Sequence, residues 1–249
     1  MERNGFNRAY RKLKRRFQEQ ARKEGSIYLP SVAPTGRADH IFIAMEPSIG
    51  RWGRTPEEAR RAVDGGLRNF TYSLEDFLLH FSIRTYLCRP GESYYITDIS
   101  KGAMPVSKAR RNAKKRYGDW YPLLLEELSL TRKSDSLVFA VGRTVEAFLR
   151  RQRLPDLTDT LIHYSSQAGN ARNRCITGKE SEFGRFAESI TFEDVLKVAG
   201  SVLADGDIPG HVGRETMKRL QRSKQKLTHS RRKLVFCYKT VFETARGPA

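Results

Sequence analysis

The sequence predicts a single α/β domain of three layers around a central four-stranded parallel sheet, on three observations. Short apolar, β-branched or aromatic runs recur at residues 41–45, 94–99, 137–141 and 161–164. Between them lie stretches whose apolar residues repeat at three-to-four spacing, and strands alternating with helices build βαβ units with helices on both faces of a parallel sheet. The chain has 249 residues, 39% of them hydrophobic, which suffices for one substantial core without a second domain.

In chain order, residues 1–24 read as a basic helix and 41–45 as the first strand. Residues 73–86 follow as a helix, with Leu74, Phe77, Leu78 and Phe81 on one face, and 94–99 as the second strand. A helix at 120–130 leads to the third strand, 137–141, and a helix at 143–153 with Val145, Phe148 and Leu149 leads to the fourth, 161–164. Helices at 192–203 and 214–226 come next, the latter strongly basic, and 233–242 fits either an edge strand or a packing helix. Segments 30–38, 47–56 and 165–185, rich in Gly, Pro and Arg, read as loops, and no internal repeat is present. The expected organisation is a helical extension at 1–25, an α/β domain at 26–210, and a basic C-terminal extension at 211–249 that packs on it.

The formal charge is +18. It is concentrated at residues 1–25 (+6), 101–118 (+7) and 211–249 (+9), which leaves the remainder slightly acidic. A near-neutral core with basic appendages points to a polyanionic partner, double-stranded DNA above all, because each neutralised phosphate releases condensed counterions. Binding to a membrane surface is disfavoured, since the basic segments lack a Trp/Leu-rich apolar face. No apolar run approaches the roughly 18 residues needed to span a bilayer, and the N-terminus is not a signal peptide, so a cytoplasmic monomer is expected. Cys88, Cys175 and Cys237 are odd in number and without CxxC spacing, so no disulfide framework and no metal or other cofactor is expected. No GxGxxG follows a predicted strand, which disfavours a dinucleotide enzyme.

Ligand sites in open parallel sheets lie beyond the carboxyl ends of the strands. Those ends carry Glu46, Asp98, Gly142-Arg143 and His163, so a Glu, an Asp and a His converge on one rim. Each residue type also has a structural reading: a turn before Pro47 for Glu46, an Asx turn for Asp98, a core position for Phe70 and a satisfied core histidine for His163.

Over roughly residues 40–175 the sequence resembles the uracil-DNA glycosylase superfamily. Ala44-Met45-Glu46-Pro47-Ser48 is similar to that family's first motif, with Glu46 on its acid. Gly66-Leu67-Arg68-Asn69-Phe70 resembles the segment that ends in the aromatic residue stacking on the extruded base, which places Phe70 there. The stretch from Tyr95 to Lys101 resembles the strand whose end normally presents an Asn to the base, where this chain has Asp98. His163-Tyr164-Ser165 is similar to the second motif, His-Pro-Ser. The resemblance implies that Glu46 stabilises the cationic sugar and activates water, while His163 donates to the departing base and Phe70 stacks on it. Tyr164 and Gln167 would fill the gap left in the duplex.

The departures narrow the substrate. An ionised Asp98 only accepts, which disfavours uracil and fits the amino group of cytosine, while a protonated Asp98 could also donate. Since unmodified cytosine is everywhere in DNA, a safe enzyme needs a further mark such as a bulky 5-substituent. Small Ser48 and Gly50 leave room for one, and Trp52 could close it. The resemblance extends to a bacterial anti-phage glycosylase acting on glucosylated hydroxymethylcytosine. Uracil excision in repair stays open as an alternative. The lack of four placed cysteines argues against the superfamily's iron-sulfur branches. Phosphate contacts are expected from Lys101, Ser107, Lys108, Arg110 and Arg111 beside the pocket, and from Arg172 and Arg174 after the His163 motif. Two rival readings remain: a nuclease gathering Asp39, Glu46 and Asp98 around Mg²⁺, and a non-catalytic nucleic-acid-binding module.

Overall fold

A computed structural model describes residues 3–50, 52–53, 55–111, 113–164, 168–205, 207–222 and 227–247. The chain runs α1 (Arg3–Glu24), β1 (Ile27–Tyr28), β2 (Ala38–Ala44), β3 (Ser48–Ile49), α2 (Pro56–Asp64) and α3 (Leu74–Ser82), which ends in a π-helical turn at Ile83–Leu87. It continues through β4 (Tyr94–Asp98), β5 (Gly102–Pro105), α4 (Val106–Arg111), α5 (Ala113–Thr131), β6 (Arg132–Val141), α6 (Arg143–Arg151) and β7 (Leu157–Leu161). Five helices follow: α7 (Gly169–Ile176), α8 (Glu180–Ser189), α9 (Phe192–Asp205), α10 (Gly210–Arg222) and α11 (His229–Arg246).

The main sheet is parallel throughout, in the order β4-β2-β6-β7. Residues 41–44 of β2 and 137–141 of β6 are apolar on both faces because both are covered. Ile41, Ile43, Val138 and Ala140 pack with Tyr117, Leu124 and Leu128 of α5 and with Val145 and Leu149 of α6. The alternate residues Phe42, Ala44, Phe139 and Val141 meet α3, α9 and α11 on the other side. These are the three expected layers. A smaller sheet, β1-β5-β3, was not foreseen; two of its strands have two residues each, too short to leave a periodic signal.

The fourth strand is displaced from its expected place. It spans Leu157–Leu161, so residues 162–164 lie beyond its carboxyl end. As an edge strand it is only partly covered, and Thr158, Asp159 and Thr160 hide it from a search for apolar runs. The loop expected at 165–185 contains α7 and the first part of α8, and the loop expected at 47–56 contains β3 and the cap of α2. That cap has its own signature, overlooked above: Thr55 accepts from the Glu58 N–H and Pro56 occupies the first turn.

Both basic ends are part of the packed body. Leu13, Phe17 and Ala21 form one stripe of α1 and pack on Trp120 and Leu123 of α5, all nearly or fully buried, while its Lys and Arg residues from Arg8 onward lie at the surface. Residues 233–242 belong to a packing helix, α11, rather than an edge strand. Phe236 and Phe242 are fully buried, and the Phe242 ring meets Phe42 and Phe139 edge-on at 5.9 and 5.5 Å. No helix among the described residues is long and apolar enough to cross a membrane.

Candidate active site

The carboxyl ends of β2, β6 and β7 open into a cleft of about 1520 Å³ whose wall includes Glu46, Ser48, Phe70, Gly142, His163 and Tyr164. Glu46 follows β2 and has a side chain 12% exposed. Its Oε2 lies 3.7 Å from an Arg116 guanidinium nitrogen and is buried without a hydrogen-bond partner among the described residues. Arg116 is held from behind by Glu24 of α1, by Ser100 Oγ at 3.2 Å and by the Gly102 carbonyl at 3.1 Å. Tyr117, also in the wall, has its phenol held well above the ordinary range, by burial first and then by the Glu46 carboxylate.

Phe70 has a left-handed backbone, φ 62°, which an aromatic residue adopts at a cost of order 1–3 kcal/mol. A buried histidine sustains it. His80 Nε2 donates to the Phe70 carbonyl at 3.0 Å, and its Nδ1 accepts from the Tyr94 hydroxyl at 2.7 Å. The carbonyl can only accept, so the proton sits on Nε2, and burial pushes this imidazole down to about 4, keeping it neutral. The ring of Phe70, 3% exposed, forms floor rather than rim.

His163 lies two residues past β7 and stacks on Tyr164, with ring centroids 4.5 Å apart. Burial and then the Arg172 cation lower its pKa, which favours a neutral imidazole. The segment is tied down from two helices. Arg172 donates to the Tyr164 carbonyl at 2.7 Å and to Ser230 Oγ at 3.0 Å, while the Tyr238 hydroxyl donates to the Ile162 carbonyl at 2.9 Å. Gly142 makes room opposite: with φ 102°, a Cβ added there would sit 3.3 Å from His163 Cβ. Gly142→Ala is therefore expected to cost about 1–3 kcal/mol and to displace the imidazole. Thermal denaturation together with the His163 chemical shifts checks this.

Several expected contacts are placed elsewhere. Lys101 is 2% exposed, and its Nζ donates to Glu127 Oε2 and the Asp98 carbonyl at 2.6 Å and to Thr97 Oγ1 at 2.7 Å, so it has no access to a phosphate. Arg172 is likewise buried and braces residue 164. Asp98, at the end of β4, is 1% exposed and stands behind the wall, where Asn69 Nδ2 donates to its Oδ2 at 2.6 Å. Burial pushes its carboxyl up to about 7, against the pull of Lys101 and Asn69. Ser107, Lys108 and Arg111 are exposed on α4, and Arg174 is exposed in the cleft wall. Arg110 belongs to α4, but its side chain lies outside what is described, and Gln167 lies outside the described residues altogether.

Asn69, Arg116, Tyr117 and Arg143 also belong to the site or its support. Asn69 and Arg143 sit inside the quoted strand-end and Gly66–Phe70 segments, but only the fold shows which side chains reach the cleft. The metal-nuclease cluster does not assemble: Asp39 is at the start of β2, bound to Lys133 and Ser93, seven residues and roughly 23 Å along the chain from Glu46. Among the described residues no group of three His, Cys, Asp or Glu side chains is arranged to hold a metal ion.

Compared with models of protein families, with curated proteins and with solved structures, the chain matches none.

Proposed function

We propose that the protein is a DNA glycosylase that hydrolyses the bond between a flipped-out base and its sugar, leaving an abasic site. The observation that carries this reading is that Glu46 and His163 share one cleft from the ends of β2 and β7. Those strands are separated by β6 alone, two strand spacings or roughly 10 Å, which suits a nucleoside lying between the two side chains. Breaking the glycosidic bond leaves positive charge on the sugar and negative charge on the base. Glu46 brings the carboxylate that would face the sugar and an attacking water, and a neutral His163 can donate to the base oxygen. Phe70, in the floor of the same cleft, is the aromatic residue on which the base would stack. The four-stranded parallel sheet and the strand-end placement of these residues support the likeness to the uracil-DNA glycosylase superfamily.

The substrate reading keeps a modified cytosine, including glucosylated 5-hydroxymethylcytosine of phage DNA, with uracil excision as the competing outcome. The cleft is large, and on the Ser48 side its wall holds Gly50 and Trp52, whose Nε1 donates to the Ser48 carbonyl at 2.9 Å. The deciding experiment is an abasic-site assay, with chelator present, on duplexes carrying uracil, cytosine, 5-hydroxymethylcytosine or its glucosylated form. Release confined to modified cytosine supports the reading, and release from uracil alone transfers it to repair. If no base is released, a non-catalytic nucleic-acid-binding role takes its place.

Duplex DNA would be held by the exposed cations around the cleft. Arg143→Ala and Arg174→Ala are each expected to reduce the slope of log K against log salt by about 1, similarly for all sequences. Fluorescence anisotropy across a salt series measures it.

A further inference from the structure

Asp98, expected at the base edge, lies one layer behind the cleft wall, and Asn69 occupies the place in front of it. The Asn69 backbone is fixed: its N–H donates to the Pro30 carbonyl at 2.8 Å, and it bridges to Ser31 beside the left-handed Phe70. An asparagine amide can pair with a 4-amino or a 4-oxo pyrimidine, because a half-turn about its last bond exchanges donor and acceptor. An ionised Asp98 accepts only, so it holds the amide nitrogen inward and turns Oδ1 away from itself.

We propose that Asn69 reads the pyrimidine edge and that Asp98 is a positioning residue that locks the Asn69 amide in one orientation, acceptor toward the cleft, so that 4-amino bases are selected over 4-oxo bases. This rests on the glycosylase reading and assigns its specificity. It transfers the cytosine preference from a carboxylate in direct contact with the base to an amide whose orientation the carboxylate sets.

The lock depends on the protonation of Asp98. Its carboxyl is raised to about 7 by burial; Lys101 and the Asn69 bond oppose this, Glu46 and Glu127 reinforce it, and the phenols of Tyr117 and Tyr164 also face it. Above about pH 7 the carboxylate holds the amide nitrogen. Below it the neutral carboxyl can donate to Oδ1, and both orientations become open. Discrimination between paired bases should therefore fall as pH falls through about 7. Titration of His163 changes both rates alike and leaves their ratio unaffected.

The test compares single-turnover base release from duplexes carrying cytosine or uracil, 5-hydroxymethylcytosine or 5-hydroxymethyluracil, and glucosylated 5-hydroxymethylcytosine. It uses the full chain, Asp98→Asn and Asn69→Ala, on both sides of pH ~7. The wild-type chain should favour the 4-amino member of a pair by roughly 10- to 100-fold. Asp98→Asn should collapse that ratio toward unity at both pH values, and Asn69→Ala should lose the 4-amino preference with duplex affinity retained. Asn69→Ala, half-exposed in the wall, decides the matter if Asp98→Asn does not fold. Release that favours 4-oxo bases, or a wild-type ratio in folded variants, overturns the lock while the glycosylase reading stands. If no base is released from any duplex, both fall together.

Discussion

Glu46→Gln is expected to lower base release by about 10³-fold while leaving duplex affinity unchanged. The substitution is nearly isosteric, so the shape of the cleft is kept, and what disappears is the negative charge facing the developing cation. Arg116 sharpens the expectation. Its guanidinium sits 3.7 Å from Glu46 Oε2 and is anchored by Glu24, Ser100 and Gly102, so in the variant a fixed positive charge remains where negative charge is needed. Single-turnover kinetics on the preferred duplex, with anisotropy on the same DNA, separate the two quantities. A rate within tenfold of wild type would remove Glu46 from the chemistry. A parallel loss of affinity would assign it to binding.

Lys101→Ala is expected to destabilise the fold by about 3–5 kcal/mol, which at this chain length corresponds to roughly 10 °C or more in Tm. Lys101 and Glu127 have side chains 3% and 0% exposed and form one buried pair. Removing the ammonium leaves the Glu127 carboxylate in the core with only the Tyr95 and Thr97 hydroxyls, at 2.9 and 2.8 Å, to satisfy it. Lys101→Met combined with Glu127→Leu should recover part of the loss, because the uncompensated charge is gone, but not all of it, because both hydroxyls then lose their acceptor. Calorimetry on the three variants checks this. The DNA salt slope of a folded Lys101 variant should match wild type, since the ammonium faces the core.

The sheet was legible because it is covered on both faces. Residues 41–45 and 137–141 are apolar throughout, and 94–99 is apolar except for Thr97 and Asp98, and runs of that kind have few readings. The fourth strand was misplaced for the opposite reason: half-exposed at the edge, it tolerates Thr158, Asp159 and Thr160, and the apolar signal survives only at its two ends, Leu157 and Leu161. The strand-end rule brought Glu46 and His163 to one cleft without any knowledge of sheet order. It failed for Asp98 and Lys101 because it locates a residue along the strand and says nothing about depth. Asp98 ends β4, the edge strand at the opposite side of the sheet from β7, and Lys101 follows it, bound to Glu127 of α5; both are buried there. Exposed and buried cations look alike in a charge count, which is why Lys101 and Arg172 were grouped with Lys108 and Arg174. Asn69 differs again, since it stands in a segment whose aromatic neighbour drew the attention.

The position of α11 sets an order of events during synthesis. The strand residues Phe42, Phe139 and Val141 of this face are all made once β6 has left the ribosome, yet the rings that seal it, Phe236 and Phe242, come much later in the chain, in α11. An emerging chain must therefore carry the sheet with part of this face uncovered until α11 has formed, the kind of surface on which nascent proteins associate. Premature termination anywhere upstream of residue 229 would yield an adhesive fragment rather than a smaller folded one.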